Sequence, residues 1–500
     1  MPDNPPIYTQ TVSTPQQVDI ANTIKKNGGL LLTEWVASDE KLNEMNWYTL
    51  YLLPEKGLYC FQSLLNTKRP LLKDLSFIFP VCNRLQRAIY DLMRISTHHA
   101  KDKRPWLNHG HFPSGILHNP SKRKTSDKTH YAFKKVSGNG VHEIPVGPVH
   151  AGIIEPGHFR FSVVGERILK LEERLGYTHK GIHQLLRHKT IDEASRLIGR
   201  VSGDTTVAYL YAFSIACEHA LDYKTNRKIT FERMILLERE RLANHIGDIG
   251  AIINDAAVPS LQASFLCLKE KIIRNNMTYA HHRYLMDCIK PFSEKSLLST
   301  EHFKAIKNEM HEIEIALQPL QKIVDGHYGL QDRLKSTGII TCTQAKQLGL
   351  LGLAAKASGI DYDLRLLFPE SPQQVQCISP CAFNSGDVEA RTSVRFKECF
   401  ESMKLIRELC QTLLHEEHPT KNIPSLSVTT NQMAIGIVEA WRGPVIVVVS
   451  TDGNKINWCH FHDPSWQNWL ALEYAVMDNI VADFPLINKS FNLSYSGQDA

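Results

Sequence analysis

The sequence has no CxxC: its eleven cysteines are scattered, and the tightest pair, Cys377 and Cys381, is a CxxxC in a proline-containing stretch. Without that spacing the chain is not expected to hold a zinc ion or an iron-sulfur cluster by itself. It also lacks a GxGxxG after a strand and a GxxxxGK[ST], so neither a dinucleotide fold nor a phosphate-cradling loop is supported. Long apolar runs are missing too. The most hydrophobic stretches, Val445 to Val449 and Leu348 to Ala355, fall far short of the roughly 20 residues that span a bilayer, so any membrane association is expected to be peripheral. Charge of one sign is scarce: 57 basic against 52 acidic residues leave a formal net charge of +5, with none of the basic striping that nucleic acid requires. The opening residues MPDNPPIYTQ have neither the basic nor the apolar segment of a secretory leader, and the expectation is a reducing, cytosolic compartment with free thiols.

What is present is a 500-residue chain with 43% apolar residues, enough for two or three cores. From Ala21 to Phe112, short apolar runs alternate with one helix-like stretch, Arg84 to Ile95, which suggests a small α/β domain. A polar tract from Pro113 to Gly140 carries six Lys or Arg within fifteen residues and reads as a solvated linker or surface loop, or as an electrostatic contact for anionic lipid headgroups or an acidic partner. Val141 to Val164 is rich in β-branched residues and proline, the mark of a strand-rich segment. Proline-free, helix-length stretches follow at Ile191 to Leu221 and Phe231 to Ala256. In the second, Ile235, Leu242, Ile246, Ile249 and Ile253 fall on one face. Leu261 to Lys290, Glu301 to Asp325 and Val388 to His415 look similar, so a helical bundle is expected. Met433 to Thr451 reads as a hairpin around Arg442 and Gly443, followed by a helix from Trp466 to Ile480 and an irregular tail.

Histidines number 23. His179 with His183, at i and i+4, and His415 with His418, at i and i+3, have ligand-like spacing, yet neither pair has a visible third ligand. The segment IPVGPVHAGIIEPGHFRF, Ile144 to Phe161, could present His150 and His158 to a cavity as proton donors with pKa values near neutrality.

That segment, with LEERLGYTHKGIHQLLRHKT (Leu171 to Thr190), GRVSGDTTVAYLYAFSIACEHAL (Gly199 to Leu221), GDVEARTSVRFKECFESMKLI (Gly386 to Ile406), GIVEAWRG (Gly436 to Gly443) and the closing VADFPLINKSFNLSYSGQDA, resembles the large-subunit family shared by the forty-nine-kilodalton subunit of respiratory complex I and the group 4 nickel-iron hydrogenases of the formate-hydrogenlyase and hydrogenase-4 type. FIFPVCNRLQRAIYDLMRI, Phe77 to Ile95, is similar to the thirty-kilodalton subunit of complex I. The resemblance implies a fused chain of α+β class: an α/β domain like that smaller subunit over residues 1–112, a basic linker over 113–140, and a domain like the larger subunit or a hydrogenase large subunit over 141–500, a helical bundle with peripheral β elements.

In that family the cavity holds nickel and iron on four cysteines, or reduces quinone with a histidine and a tyrosine. Aligned on Arg200 and Glu218, this chain has Ser202 and Thr205 at the first cysteine pair, Ser494 and Gly497 at the second, and Gly203 at the quinone tyrosine. Hydroxyls and a glycine cannot supply soft thiolate ligands, so no metal centre is expected. The family's RG-x-E motif appears as Lys180, Gly181, Ile182 and His183, an imidazole in place of a proton-relaying carboxylate.

The resemblance implies a peripheral subunit on the cytoplasmic side of the inner membrane. Its implied partners are a small iron-sulfur subunit, which carries the cluster, and membrane-embedded antiporter-like subunits. Two readings stay open. In the first, a quinone-like acceptor is reduced with protons from His150, His158, His183, Asp204 or Tyr209, coupled to ion translocation; in the second, the subunit only bridges and couples its partners. If the alignment holds, the folded chain must bring Ser494 beside Ser202.

Overall fold

The computed structural model describes residues 7–39, 44–54, 56–113, 115–117, 131–150, 154–415 and 430–500. Strands β1 (Ile7–Thr11), β2 (Leu30–Asp39), β3 (Glu44–Leu53) and β4 (Gly57–Leu64) form a sheet in the order β1-β4-β3-β2, with β1 parallel to β4 and the rest antiparallel. Helices α1 (Gln16–Lys26) and α2 (Cys82–Met93) belong to the same unit, and β5 (Leu71–Lys73) pairs in parallel with β6 (Ser96–His98). This is the expected N-terminal sheet domain.

The basic tract falls largely on 118–130, outside the described residues. Its last part is anchored: the guanidiniums of Arg104 and Arg174 lie over the Tyr131 ring at 4.7 and 4.4 Å, and Lys134 N donates to Glu172 at 2.8 Å. Beyond it β7 (Val141–Val146), β8 (His158–Val164) and β9 (Arg167–Arg174) make an antiparallel meander, so the strand-rich segment extends one strand past Val164.

The stretch Ile191 to Leu221 does not form one helix. After the short α3 (Ile182–Leu186) come α4 (Ile191–Ile198) and α5 (Thr206–Ala220), separated by a turn. The reason is tertiary: the Glu240 carboxylate accepts hydrogen bonds from Val207 N at 2.7 Å and Ala208 N at 3.2 Å, capping α5 from a different helix. That cap satisfies amides that would otherwise lack partners at a helix start and lets the chain turn between the two helices. Helix α6 (Arg227–Asp255) packs against α7 (Pro259–Ala280) and the helix Val388–His415, which also meets α8 (Thr300–Gly326). The expected helix to Lys290 stops at Ala280, where His281 takes a left-handed C-cap conformation.

Strands β10 (Thr430–Ala440), β11 (Gly443–Asp452) and β12 (Lys455–His462) form a three-stranded antiparallel sheet. Ala440 pairs with Gly443, so Trp441 and Arg442 are the tip of a two-residue hairpin. Helix α5 packs on β10 closely enough that any Cβ at Gly436 would overlap the Ala212 carbonyl. This glycine lets the middle of α5 lie directly against β10.

The helix after the sheet runs Ser465–Ala475, and the tail is helical rather than irregular: Phe484–Phe491 and Tyr495–Asp499 are helices, and Ser494 to Ala500 are buried. The two sheets share a core in which Leu32, Leu50 and Cys60 of the N-terminal unit meet Ile446 and Val448 of β11. Each such fully buried Leu or Ile contributes about 1.5–3 kcal/mol, which ties the N-terminal sheet rigidly to the strands that carry the site.

Candidate functional site

Three chain segments converge where α5 begins: the turn from Ser202 to Thr205, the hairpin tip at Arg442, and the buried tail. Ser202 Oγ and Ser494 Oγ are hydrogen-bonded at 2.8 Å, so the juxtaposition required by the alignment is met. Ser202 Oγ and Thr205 Oγ1 each donate to Asp204 Oδ1 at 2.9 Å. Arg442 binds the same carboxylate bidentately, Nη1 to Oδ1 at 2.9 Å and Nη2 to Oδ2 at 2.5 Å, and reaches Thr205 Oγ1 at 3.0 Å and the Asn492 carbonyl at 2.5 Å. The Asp204 backbone is held as well, its carbonyl accepting from Asn244 Nδ2 at 2.8 Å and Trp441 Nε1 at 2.9 Å. Burial by itself would raise the Asp204 carboxyl; the Arg442 charge and its hydrogen bonds outweigh this and hold it well below the usual carboxylate range.

Behind this pair, Tyr209 OH donates to Asp463 Oδ2 at 3.2 Å. Burial pushes the Asp463 carboxyl up despite Arg442, and burial together with Asp463 pushes the Tyr209 phenol up. Tyr209 is therefore a neutral hydrogen-bond donor, and Asp463 is disposed to hold a proton.

The residues here do not fit a nickel-iron centre on four thiolates. The positions offer two serines, a threonine and a glycine, and a Cβ at Gly497 would lie 2.7 Å from Asp463 Oδ2 and 2.9 Å from Ser494 Oγ. The ion pair and hydroxyls fill the space between the segments. Among the described residues no three His, Cys, Asp or Glu side chains converge as a ligand set.

Of the residues singled out in sequence, Asp204 and Tyr209 belong to this cluster. His183 is one ring away: it stacks on Phe461 at 4.0 Å between centroids, and Phe461 meets Tyr209 edge-on at 6.3 Å. Burial pushes its imidazole down to about 3, so His183 is neutral at physiological pH. His150 and His158 lie further off, on the β7 to β8 side. His158 Nδ1 is 3.2 Å from the Gly147 carbonyl, and the His150 ring packs on Phe159 at 5.6 Å. They reach the tail only indirectly, through Phe159 against Tyr495 at 6.4 Å, and no hydrogen bond or ring contact among the described residues joins either histidine to Asp204. Burial lowers both imidazoles below the ordinary histidine value. His179 precedes α3 and so does not share a helix with His183, and its Nδ1 lies 2.8 Å from the Asp499 carbonyl. His418 lies outside the described residues.

Residues 269–434 match the family described as respiratory-chain NADH dehydrogenase, 49 Kd subunit. The match covers less than half of the chain. Among curated relatives, hydrogenase-4 component G of Escherichia coli is 27% identical over 75% of this chain and 64% of its own length. Formate hydrogenlyase subunit 5 of the same organism is 24% identical over 95% of this chain and 85% of its own. These relationships are consistent with the group 4 hydrogenase and complex I family. The fold is shared with a chain of an archaeal membrane-bound sulfane sulfur reductase, at TM-score 0.65 and 19% identity, covering 72% of this chain and 99% of that one.

Sequence reasoning missed a second feature of this domain, a buried charge network behind the hairpin. Asn492 Nδ2 donates to Asp248 Oδ1 at 2.8 Å, and Asp248 Oδ2 pairs with Arg395 at 3.3 Å. One helical turn earlier His245 Nε2 sits 2.8 Å from Glu398, which pairs with Lys356 at 2.7 Å and Arg241 at 3.2 Å. Lys356 also pairs with Asp363 at 2.6 Å, Asp363 with Arg365 at 2.7 Å, and Arg365 with Glu238 at 3.2 Å. All the charged groups of this network are under a tenth exposed. These partners come from segments far apart in the chain, so no local sequence pattern announces their pairing.

Proposed function

We propose that this chain is a peripheral-arm subunit of a membrane-bound respiratory complex in which the family's metal pocket has been rebuilt as a charge-paired plug, leaving the subunit to couple its partners. One observation carries the reading: Ser202, Ser494, Thr205, Asp204 and Arg442 bond to one another across the positions where the thiolates would converge. A pocket lined by self-satisfied groups binds no metal, yet it still locks the α5 start, the hairpin and the tail into one rigid body. The proposed partners are a small iron-sulfur subunit, which would carry the cluster nearest this face, and membrane-embedded antiporter-like subunits, with the whole on the cytoplasmic side of the inner membrane. No helix among the described residues is long and apolar enough to cross a membrane, so attachment would come through those partners.

A second reading, electron transfer to a quinone-like acceptor, is favoured by one observation. A cavity of about 390 Å³ opens beside Gly203 and Asp204, lined by Glu240, Lys269, Tyr284, Leu285 and Met286. That volume is in the range of small-molecule sites. Isolating the native complex and measuring nickel, iron and quinone per copy of this chain separates the readings. Iron without nickel or quinone supports the coupling subunit, stoichiometric quinone moves the assignment to the second reading, and stoichiometric nickel overturns both.

A further inference from the structure

The cavity of about 390 Å³ beside Gly203 and Asp204 carries one charge that the protein leaves unmatched. One wall is the face of α6 formed by Glu240, Ala243 and Asn244, and the other is the face of α7 formed by Lys269, Ile273 and Asn276. In each set a spacing of three or four residues puts the side chains next to one another on the helix. Leu285 and Met286, just past the end of α7, complete a lining that is mainly apolar.

The other ionisable groups of the lining are already provided for. Asp204 is paired with Arg442, and Arg283 holds Glu270 through Nη1 at 3.2 Å and Nη2 at 2.8 Å. Glu240 accepts from Val207 N and Ala208 N, and burial pushes its carboxyl up to about 8, so it adds little negative charge near neutrality. Lys269 alone makes no hydrogen bond or ion pair among the described residues. Its position is nevertheless set by the fold. The side chain lies across α6 at Gly247, one turn beyond Ala243: a Cβ on Gly247 would stand 2.7 Å from Lys269 Cδ and 2.8 Å from Nζ, and the next nearest atom is Lys269 Cε. Glycine weakens a helix interior. Here, inside a 29-residue helix, its missing side chain is the groove in which the lysine rests.

We propose that this cavity binds a monocarboxylate carried on an apolar body, with Lys269 Nζ donating to the carboxylate and Ile273, Leu285 and Met286 covering the body. An ammonium beside apolar walls attracts an anion more strongly than one in open water. A single unmatched positive charge is balanced by a single negative one; a phosphate monoester, with a charge nearer two, would leave an excess facing Asp204. The volume is in the range of small-molecule sites. Gly247 is a positioning residue, since it touches only the lysine that makes the contact. The cavity is the one that the quinone-like reading uses, yet a neutral quinone brings no counter-charge to Lys269, and carboxylate binding requires no redox step.

Calorimetric titration of the full chain with octanoate, octanol and octylamine compares one tail under an anionic, a neutral and a cationic head. Octanoate should bind with a stoichiometry of one and at least about tenfold more tightly than octanol, the factor that a hydrogen bond between charged groups supplies, with octylamine weakest. Lys269→Met keeps the length of the side chain and should bring octanoate down to the octanol level while octanol is unchanged. Gly247→Ala pushes the ammonium aside and should weaken octanoate several-fold without lowering the melting temperature, because alanine favours the helix. Equal affinity for octanoate and octanol, no octanoate binding, or an octanoate affinity that survives both substitutions overturns the proposal. Quinone content of the native complex is a separate measurement, so this proposal and the quinone-like reading fail independently.

Discussion

Replacing Arg442 by methionine tests whether the plug is a true structural lock. The guanidinium is only 4% exposed and serves four acceptor atoms: both Asp204 oxygens, Thr205 Oγ1 and the Asn492 carbonyl. It is also a source of positive charge for Asp463 and Asp248. Breaking one side of a buried pair costs about 3–5 kcal/mol. Asp204 keeps 39% of its side chain exposed, so water can solvate its carboxylate after the loss, and the expected cost is about 3 kcal/mol, the low end of that range. The pH dependence follows from the signs. Asp204 has a depressed pKa in the fold, so its contribution is complete above the ordinary carboxylate range and is lost only as pH falls through the folded value. Wild type therefore retains it at both pH 7.5 and pH 5.5. In Arg442→Met the carboxyls of Asp204 and Asp463 both rise, and acidification relieves their repulsion. Urea and thermal unfolding of the full chain should show a gap from wild type that narrows between pH 7.5 and pH 5.5, and adding Asp204→Asn should recover at least about 1 kcal/mol. A loss under about 0.5 kcal/mol that ignores pH would mean that the pair behaves as an ordinary solvated surface contact, and the plug reading would be wrong.

Other perturbations probe the same architecture. Gly497→Ala in the terminal helix should destabilise by about 1–3 kcal/mol, against the usual helical gain on replacing glycine, because the new Cβ meets the Asp463 carboxylate; calorimetry showing a gain would contradict the packing of the tail. Lys356→Met leaves Asp363 and Glu398 short of a cation and should cost about 3–5 kcal/mol, read as a lowered urea midpoint, with Asp363→Asn restoring part of it. Asp499 is buried and pushed up to about 6, with its oxygens held by Gly176 N and by the Thr178 amide and hydroxyl. An acid raised in the fold loses stability as pH rises through its folded value, so the melting temperature of Asp499→Asn relative to wild type should increase from pH 5 to pH 7.5. A constant difference would refute the shift.

The helices Phe231 to Ala256 and Val388 to His415 were legible because their apolar period is carried by the sequence itself, and the hairpin was legible because Arg442 and Gly443 interrupt two β-branched runs. The break after Ile198 was not, since it is stabilised by Glu240, some forty residues away, through a cap that no local pattern announces. The tail looked irregular because its residues are small and polar; they are buried because Asp499, Ser494 and Ser496 find partners on the Gly176 to Thr178 loop, Ser465 and Glu155. At the site, Asp204 and Tyr209 could be placed by counting from Arg200, but Asp463 and Asn492 enter by tertiary contact alone. His150 and His158 had the right residue type in a glycine-rich segment, and the meander nonetheless turns them toward Gly147 and Phe159.

The charge network poses a last question of balance. Arg241, Lys356 and Arg365 are matched by Glu238, Asp363 and Glu398, which leaves Glu439 as an additional acid. Its carboxylate accepts from Leu364 N at 3.2 Å, while Arg241 is directed to the carbonyls of Glu439 and Ala440. The cluster is neutral only if Glu439 carries a proton, and burial with the repulsion of Asp363 pushes that carboxyl up to about 8. An acid raised in this way contributes fully below its unfolded pKa and loses that contribution as pH rises through the folded one, so wild type should lose stability progressively from about pH 5 to about pH 8. Glu439→Gln keeps the shape and the acceptor without the proton. It should be within about 1 kcal/mol of wild type near pH 5 and should show a flatter decline toward pH 8 in urea midpoints. A variant that is several kcal/mol weaker near pH 5, or that keeps the wild-type slope, would show that Glu439 is ionised and that the network holds a net negative charge three residues from the arginine that closes the plug.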